Sequence, residues 1–192
     1  MKNMKNMISM LLYFLFRYIY IYMAFTFTTN DNITTATFSG TGNLLGATNQ
    51  LTDSNGKTAT IAIIEGYSSI GADAFDGASS LTSITIPASV TSIGDYAFKE
   101  ASSLTSIFIP EGVTSIGTGA FREATSLTSI TIPEGSKLTS IGNYAFSNAS
   151  SLTSITIPEG VTSIGEWAFS AAVDLTTVTF TEGSKLTSIG NY

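Results

Sequence analysis

Cysteine and histidine are both absent from this 192-residue chain. Without cysteine there are no disulfides, no CxxC redox pair and no thiolate nucleophile. Without histidine as well, the usual zinc ligand sets are missing, together with every nucleophile activated by an imidazole. Basic residues are scarce: eight Lys and Arg stand against fourteen Asp and Glu, for a net charge of −6. From Asn30 onward the imbalance deepens to five basic residues (Lys57, Lys99, Arg122, Lys137, Lys185) against all fourteen acidic ones, a net −9. Such a surface repels phosphate backbones, which argues against nucleic acid as a partner. Charged residues make up only 11% of the chain and hydrophobic ones 43%, a composition that folds rather than stays disordered. Proline is rare too, and all four copies, at 87, 110, 133 and 158, follow the same short text.

That text repeats. LTSITIP or a close variant starts at Leu81, Leu104, Leu127, Leu152 and Leu175, at spacings of 23, 23, 25 and 23 residues. The longer interval holds Ser136–Lys137, inserted before the LTSIG segment. A more diverged copy, IAIIEGYSSIGADAFDGASS, falls in the same frame within about 58–80. A fixed period of this size predicts a solenoid in which each repeat covers the apolar face of its neighbour.

Each repeat has a legible pattern. Ile84 and Ile86 alternate with Ser83 and Thr85, which predicts a short strand with one buried face. The proline that follows has no N–H to offer, so it ends the ladder and turns the chain. Val90 and Ile93 form a second inward pair, closed by glycine at 94, 117, 142 and 165. Asp95–Phe98 then offers a polar, cap-like residue and an Ala–Phe pair, read as one or two helical turns. Phe98, Phe121, Phe146 and Phe169 are expected to stack as an inward column. The expected fold class is α/β, β-dominated with short helical turns.

Upstream, residues 1–27 carry a basic start (Lys2, Lys5) and then apolar text broken by Arg17. The segment reads as a hydrophobic signal peptide or as a membrane anchor through residues 7–27. Arg17 opposes a span by about 2.5–3.5 kcal/mol, and Tyr22 makes a poor cleavage site. A strand pair or helix packed on the repeats, or a start at Met23, are the other readings. Either membrane reading leaves the repeats outside the cell. Residues 28–57 are expected to form a β-rich N-terminal cap, with a strand at 35–40, a turn at Thr41–Asn43 and a hairpin signal at Asn55–Gly56. Residues 58–192 are the solenoid, of about five to six repeats with the last one incomplete. Two nucleotide motifs are only fragments. Gly40-Thr-Gly42 is followed by Leu45 where a third glycine is needed, and Gly56-Lys57-Thr58 has Leu51 in place of the first P-loop glycine.

The string SLTSITIPEGVTSIGEWAFS (Ser151–Ser170) resembles the BspA-type leucine-rich repeat of bacterial and protist surface proteins. The resemblance covers about residues 58–192. SerGlyThrGly (Ser39–Gly42) and AlaIleIleGluGly (Ala62–Gly66) look like the lead-in to such arrays. It implies a right-handed leucine-rich-repeat solenoid with the LTSITIP strands in a parallel concave sheet. It also implies a secreted or surface-anchored protein linked to adhesion. Many members carry Cys after the Ala–Phe pair, where this chain has Ala78, Ala101, Ala124 and Ala149. The text stops at Tyr192, where an Ala–Phe pair is due. A truncated frame or an open edge that self-associates are the two readings of that stop.

Two columns follow from stacking the repeats. On the concave face the outward residues are Ser83, Thr85, Ser106, Phe108, Ser129, Thr131, Ser154, Thr156, Thr177 and Thr179. A ladder of small hydroxyls with one aromatic suits a protein or glycan ligand, and equally keeps the face soluble. Along one edge run Glu65, Glu111, Glu134, Glu159 and Glu182, able to attract a cation or basic partner or simply to be solvated. A flat ice- or mineral-binding array fits a curved sheet poorly. Asn32-Ile-Thr34 and Asn148-Ala-Ser150 match the glycosylation acceptor pattern. No catalytic, metal or cofactor residues are assigned. The reading is a non-enzymatic, secreted or surface-exposed repeat protein that binds an extracellular protein or glycan. A self-assembling scaffold without a dedicated ligand is the alternative.

Overall fold

The computed structural model describes residues 23–30, 33–47, 51 and 58–191. Most of the apolar leader, residues 1–22, and the Asn55–Gly56 signal lie outside the described residues, as does the Asn32 acceptor. Among the described residues no helix is long and apolar enough to cross a membrane.

The fold opens with three long strands, β1 (Met23–Asn30), β2 (Ile33–Leu44) and β3 (Ile61–Ile70). From there two sets of short strands alternate. The LTSIT segments give β4 (Ser83–Thr85), β6 (Ser106–Phe108), β8 (Ser129–Thr131), β10 (Ser154–Ile157) and β12 (Thr177–Phe180). The SIG segments give β5 (Ser92–Ile93), β7 (Ser115–Ile116), β9 (Ser140–Ile141), β11 (Ser163–Ile164) and β13 (Ser188–Ile189). The two sets form separate parallel ladders, one ordered β6-β8-β10-β12 and the other β3-β5-β7-β9-β11-β13. Each repeat therefore makes one circuit of a parallel β-solenoid of about six turns.

β3 explains how the two ladders begin. Its first residues pair with β4 (Ile61↔Ser83) while its last, Ile70, pairs with Ile93 of β5. One uninterrupted strand thus pairs with the first strand of each set, β4 and β5, and Glu65–Gly66 stands where the next four repeats have proline. Proline cannot continue a ladder, so these four repeats break there into two short strands, and the last repeat breaks at Thr181. β2 lies parallel along β3, and β1 closes the edge antiparallel to β2, with Phe25 opposite Phe38. The expected strand at 35–40 is present, but Thr41–Asn43 is no turn. The strand runs on to Leu44 through a register shift at Gly42, where φ is +83°.

The third side of each turn differs from the sequence-based expectation. The Ala–Phe segments are not helical: among the described residues there is no α-helix. Two positions four residues apart adopt left-handed backbone in repeat after repeat, Asp73 and Gly77 first, then Tyr96 and Glu100, and later Tyr144 and Asn148. A left-handed L-residue costs roughly 1–2 kcal/mol and stops helix propagation. The N–H groups that a helix would turn back four residues point instead at the next repeat. Tyr96 N–H donates to Thr118 O (2.8 Å), Phe98 N–H to Ala120 O (2.7 Å) and Glu100 N–H to Arg122 O (2.8 Å). The N–H groups between them close tight turns, as in Lys99 N–H to Tyr96 O (3.0 Å). Asp95, expected as a helix cap, accepts from the N–H of Thr118 in the following repeat (2.7 Å).

The core is the periodic set. Leu81, Ile84, Ile86, Val90, Ile93 and Phe98 are all buried, and their equivalents follow in register down the axis. Phe75, Phe98, Phe121 and Phe146 stack with centroids 5.2–5.3 Å apart and planes within 5°, and Phe169 continues the column at 5.4 Å. Stacked aromatics add about 0.5–1.5 kcal/mol per pair beyond the area they bury.

Candidate functional site

Four strands place the hydroxyl columns in register. Ser106 pairs with Ser129, Ser129 with Ser154 and Ser154 with Thr177, while Phe108 stands against Thr131 and Thr156 against Thr179. Ser83 and Thr85 extend the face on β4, which pairs with β3. All ten residues are exposed. Phe108 is 53% exposed, a single aromatic among hydroxyls.

Sequence reasoning missed which hydroxyls are already in use. Beside each of these strands runs a second threonine column, Thr82, Thr105, Thr128, Thr153 and Thr176. Each of its Oγ1 atoms donates to the main-chain carbonyl one repeat back, at 2.8–3.5 Å. Thr91, Thr114, Thr139, Thr162 and Thr187 do the same beside the SIG ladder, at 2.9–3.2 Å. These threonines clamp repeat to repeat. The ten outward residues, by contrast, make no side-chain hydrogen bond among the described residues, so their hydroxyls remain open to a ligand. A signal existed in the text: Thr recurs at 82 and 91 without the Ser/Thr drift seen at 177.

Glu65, Glu111, Glu134, Glu159 and Glu182 are each exposed. Glu65 accepts from Ser39 Oγ at 2.9 Å, and Glu159 pairs with Lys185 at 2.9 Å. Glu111 leans over Gly135 of the following repeat, where an added Cβ would lie 3.3 Å from its Oε1. Among the described residues, no three acidic side chains converge as a metal site would require. Residues of both columns line a depression of about 390 Å³, among them Glu134, Thr156 and Glu182 with the prolines 133 and 158.

A longer groove of about 540 Å³ follows the opposite corner, lined by Glu100, Ser102, Glu123, Thr125, Asn148 and Ser150. It contains the second glycosylation acceptor, at a left-handed, exposed Asn148. Ion pairs rim it: Lys99–Glu100 at 2.9 Å, Lys99–Asp76 at 3.5 Å and Arg122–Glu123 at 3.0 Å. The hydrogen bond to Glu100 holds the Lys99 ammonium above the ordinary lysine value. At exposed sites such pairs contribute little to stability.

The repeat text, the two parallel ladders and the buried columns all point the same way, and a BspA type leucine rich repeat region matches in six copies over residues 54–192. The chain belongs to the BspA-type leucine-rich-repeat family. No curated protein matches it. Solved structures of leucine-rich-repeat proteins are similar. That of T. pallidum TpLRR has a TM-score of 0.60 at 22% identity, covering 89% of this chain and 80% of that one. A Bacteroides ovatus leucine-rich-repeat protein has a TM-score of 0.57 at 30% identity, covering 88% and 45%. A leucine rich cell surface protein of Faecalibacterium prausnitzii has a TM-score of 0.50 at 28% identity, covering 81% and 52%. The chain therefore spans about half the length of the latter two.

Proposed function

We propose that this BspA-type repeat protein is secreted or surface-exposed and binds an extracellular protein or glycan through the face of its LTSIT strands, the concave face of a right-handed solenoid. The observation that carries this reading is the division of labour among the hydroxyls. Thr82 and its equivalents hold the repeats together, whereas Ser83, Thr85 and theirs face solvent with their hydrogen-bonding capacity open. Repetition at one repeat per step presents the same donor–acceptor set along an extended ligand. Phe108 supplies an aromatic anchor at one step. The cell-surface similarity in F. prausnitzii supports the location. Binding, with no bond made or broken, is the whole of the activity in this reading.

The test is binding of the purified protein to a panel of extracellular-matrix proteins and glycans, repeated with Ser106→Arg, Ser129→Arg and Ser154→Arg combined. These side chains are exposed, so an unchanged circular-dichroism spectrum is expected together with loss of binding. Full binding by the folded triple variant would sink the proposal. Location is tested by protease shaving of intact cells. Release of repeat peptides is expected, and their recovery only after lysis would refute a surface location.

A further inference from the structure

Taking the LTSIT face as the binding surface, we infer that its ligand is a neutral glycan, with one sugar ring seated on Phe108 and the chain running along the axis to the depression at Thr156. Phe108 stands where the other repeats place threonine, in the column Thr85, Phe108, Thr131, Thr156 and Thr179. Its side chain is 53% exposed and makes no aromatic, ionic or hydrogen-bond contact among the described residues, so its ring surface is free. Its neighbours along the column, Thr85 and Thr131, are short exposed side chains, and the ring rises above them.

Composition selects a glycan over a protein. Ser and Thr are under-represented among the residues that anchor protein interfaces, where Tyr, Trp and Arg lead. Nine of the ten outward side chains are Ser or Thr and none is charged, so a protein partner finds one anchor and no ion pair. A sugar makes the opposite demand. Its ring has an apolar C–H face that packs on an aromatic ring, and its rim of hydroxyls needs neutral donors and acceptors at close intervals. The strands supply them at every step of about 4.8 Å, and the hydroxyls are unengaged among the described residues. Two strands on from Phe108, about 10 Å along the column, Thr156 borders the depression of about 390 Å³. The covered part of its lining is apolar, with Ile132 half-buried and Pro158 buried. Glu134 and Glu182 also line it, and neither side chain has an ion pair or hydrogen bond among the described residues. Both carboxylates can accept sugar hydroxyls. With the net −9 from Asn30 onward, they repel sulfated or uronic chains. A neutral glycan remains.

The full chain is titrated by calorimetry with neutral oligosaccharides of the cello, malto, xylo and manno series, with heparin as the anionic comparison, and with collagen and laminin as protein probes. Saturable binding of at least one neutral series is expected, with none of heparin. The decisive variant is Phe108→Thr. It installs the residue that the rest of the column carries, so its melting temperature should not fall, yet its affinity for the neutral chain should drop by about tenfold or more. Phe108→Tyr keeps a ring at that step and should retain binding. Binding of the protein probes alone, lost when Ser106→Arg, Ser129→Arg and Ser154→Arg are combined, would overturn the inference and leave the LTSIT face standing as the binding surface. Neutral-glycan binding that survives the triple variant would overturn both. No response to any of the four neutral series, equal affinity in Phe108→Thr, or a response to heparin alone would each overturn the inference as well.

Discussion

Thr114 grips the carbonyl oxygen of Thr91 twice, with its N–H at 2.8 Å and its Oγ1 at 3.0 Å. The same double donation links Thr139 to Thr114 (2.9 and 3.0 Å) and Thr187 to Thr162 (2.9 and 2.9 Å). Both lone pairs of each carbonyl are thus satisfied at the rim of the SIG ladder. Thr114→Val keeps the shape and the N–H bond but removes the hydroxyl. A loss of about 1 kcal/mol is expected in denaturant unfolding, partly recovered by Thr114→Ser. An unchanged midpoint in the valine variant would show that these hydroxyls are ornamental.

Gly117 is fixed by proximity, not by backbone sign. A Cβ there would lie 2.5 Å from Gly94 C and 2.6 Å from Asp95 N, both main-chain atoms that cannot swing aside. Gly94 and Gly142 meet the preceding repeat at 2.6 Å in the same manner. Gly117→Ala must push two repeats apart, and a destabilisation of about 1–3 kcal/mol or more follows. Thermal melting of this variant beside Gly112→Ala, whose backbone is not left-handed and whose Cβ meets nothing closer than 3.4 Å, checks the point. Equal losses in the two would contradict it.

The Tyr67 hydroxyl is buried without a hydrogen-bond partner among the described residues, on a side chain only 2% exposed. Tyr67→Phe removes an unsatisfied polar group, and a gain of about 1 kcal/mol is expected at neutral pH. Burial also raises the Tyr67 pKa above its ordinary value of 10.0. The folded state therefore holds the phenol proton more tightly than the unfolded one. Stability is complete below pH 10 and falls as the pH rises through the folded-state pKa. The advantage of Tyr67→Phe should widen above pH 10, and a constant difference in unfolding free energy across that range would refute the assignment.

Phe121 sits at the middle of the aromatic column, stacked on Phe98 at 5.2 Å and on Phe146 at 5.3 Å. Phe121→Ala opens a cavity between neighbours that cannot collapse, because each is held by its own repeat. A loss of about 3–5 kcal/mol is expected, while Phe121→Leu should retain most of the stability. Because coupling passes from each repeat to the next, hydrogen exchange should rise first on both sides of residue 121. Exchange unchanged in the flanking repeats would show that the column is not cooperative.

The repeat text alone determined the period, the parallel stacking and the buried columns from Leu81 to Phe98. In a solenoid every repeat packs against copies of itself, so a residue's neighbours can be read from the next line of the sequence. The exposed row from Ser83 to Thr179 was legible for the same reason. The tertiary structure alone decided three things. The Ala–Phe segments became turns because Tyr96, Glu100 and their equivalents are left-handed, a state that Gly77, Gly119 and Asn148 favour but Tyr96 and Glu100 do not, and that is held by hydrogen bonds to the next repeat. The hydroxyls of Thr82 and Ser83, alike in composition, were divided into clamp and open face by the direction each side chain leaves the strand. β3 stayed whole because β2 runs beside it on both sides of Glu65 and a left-handed Gly66, through a register shift at that point, where the next four repeats turn at proline.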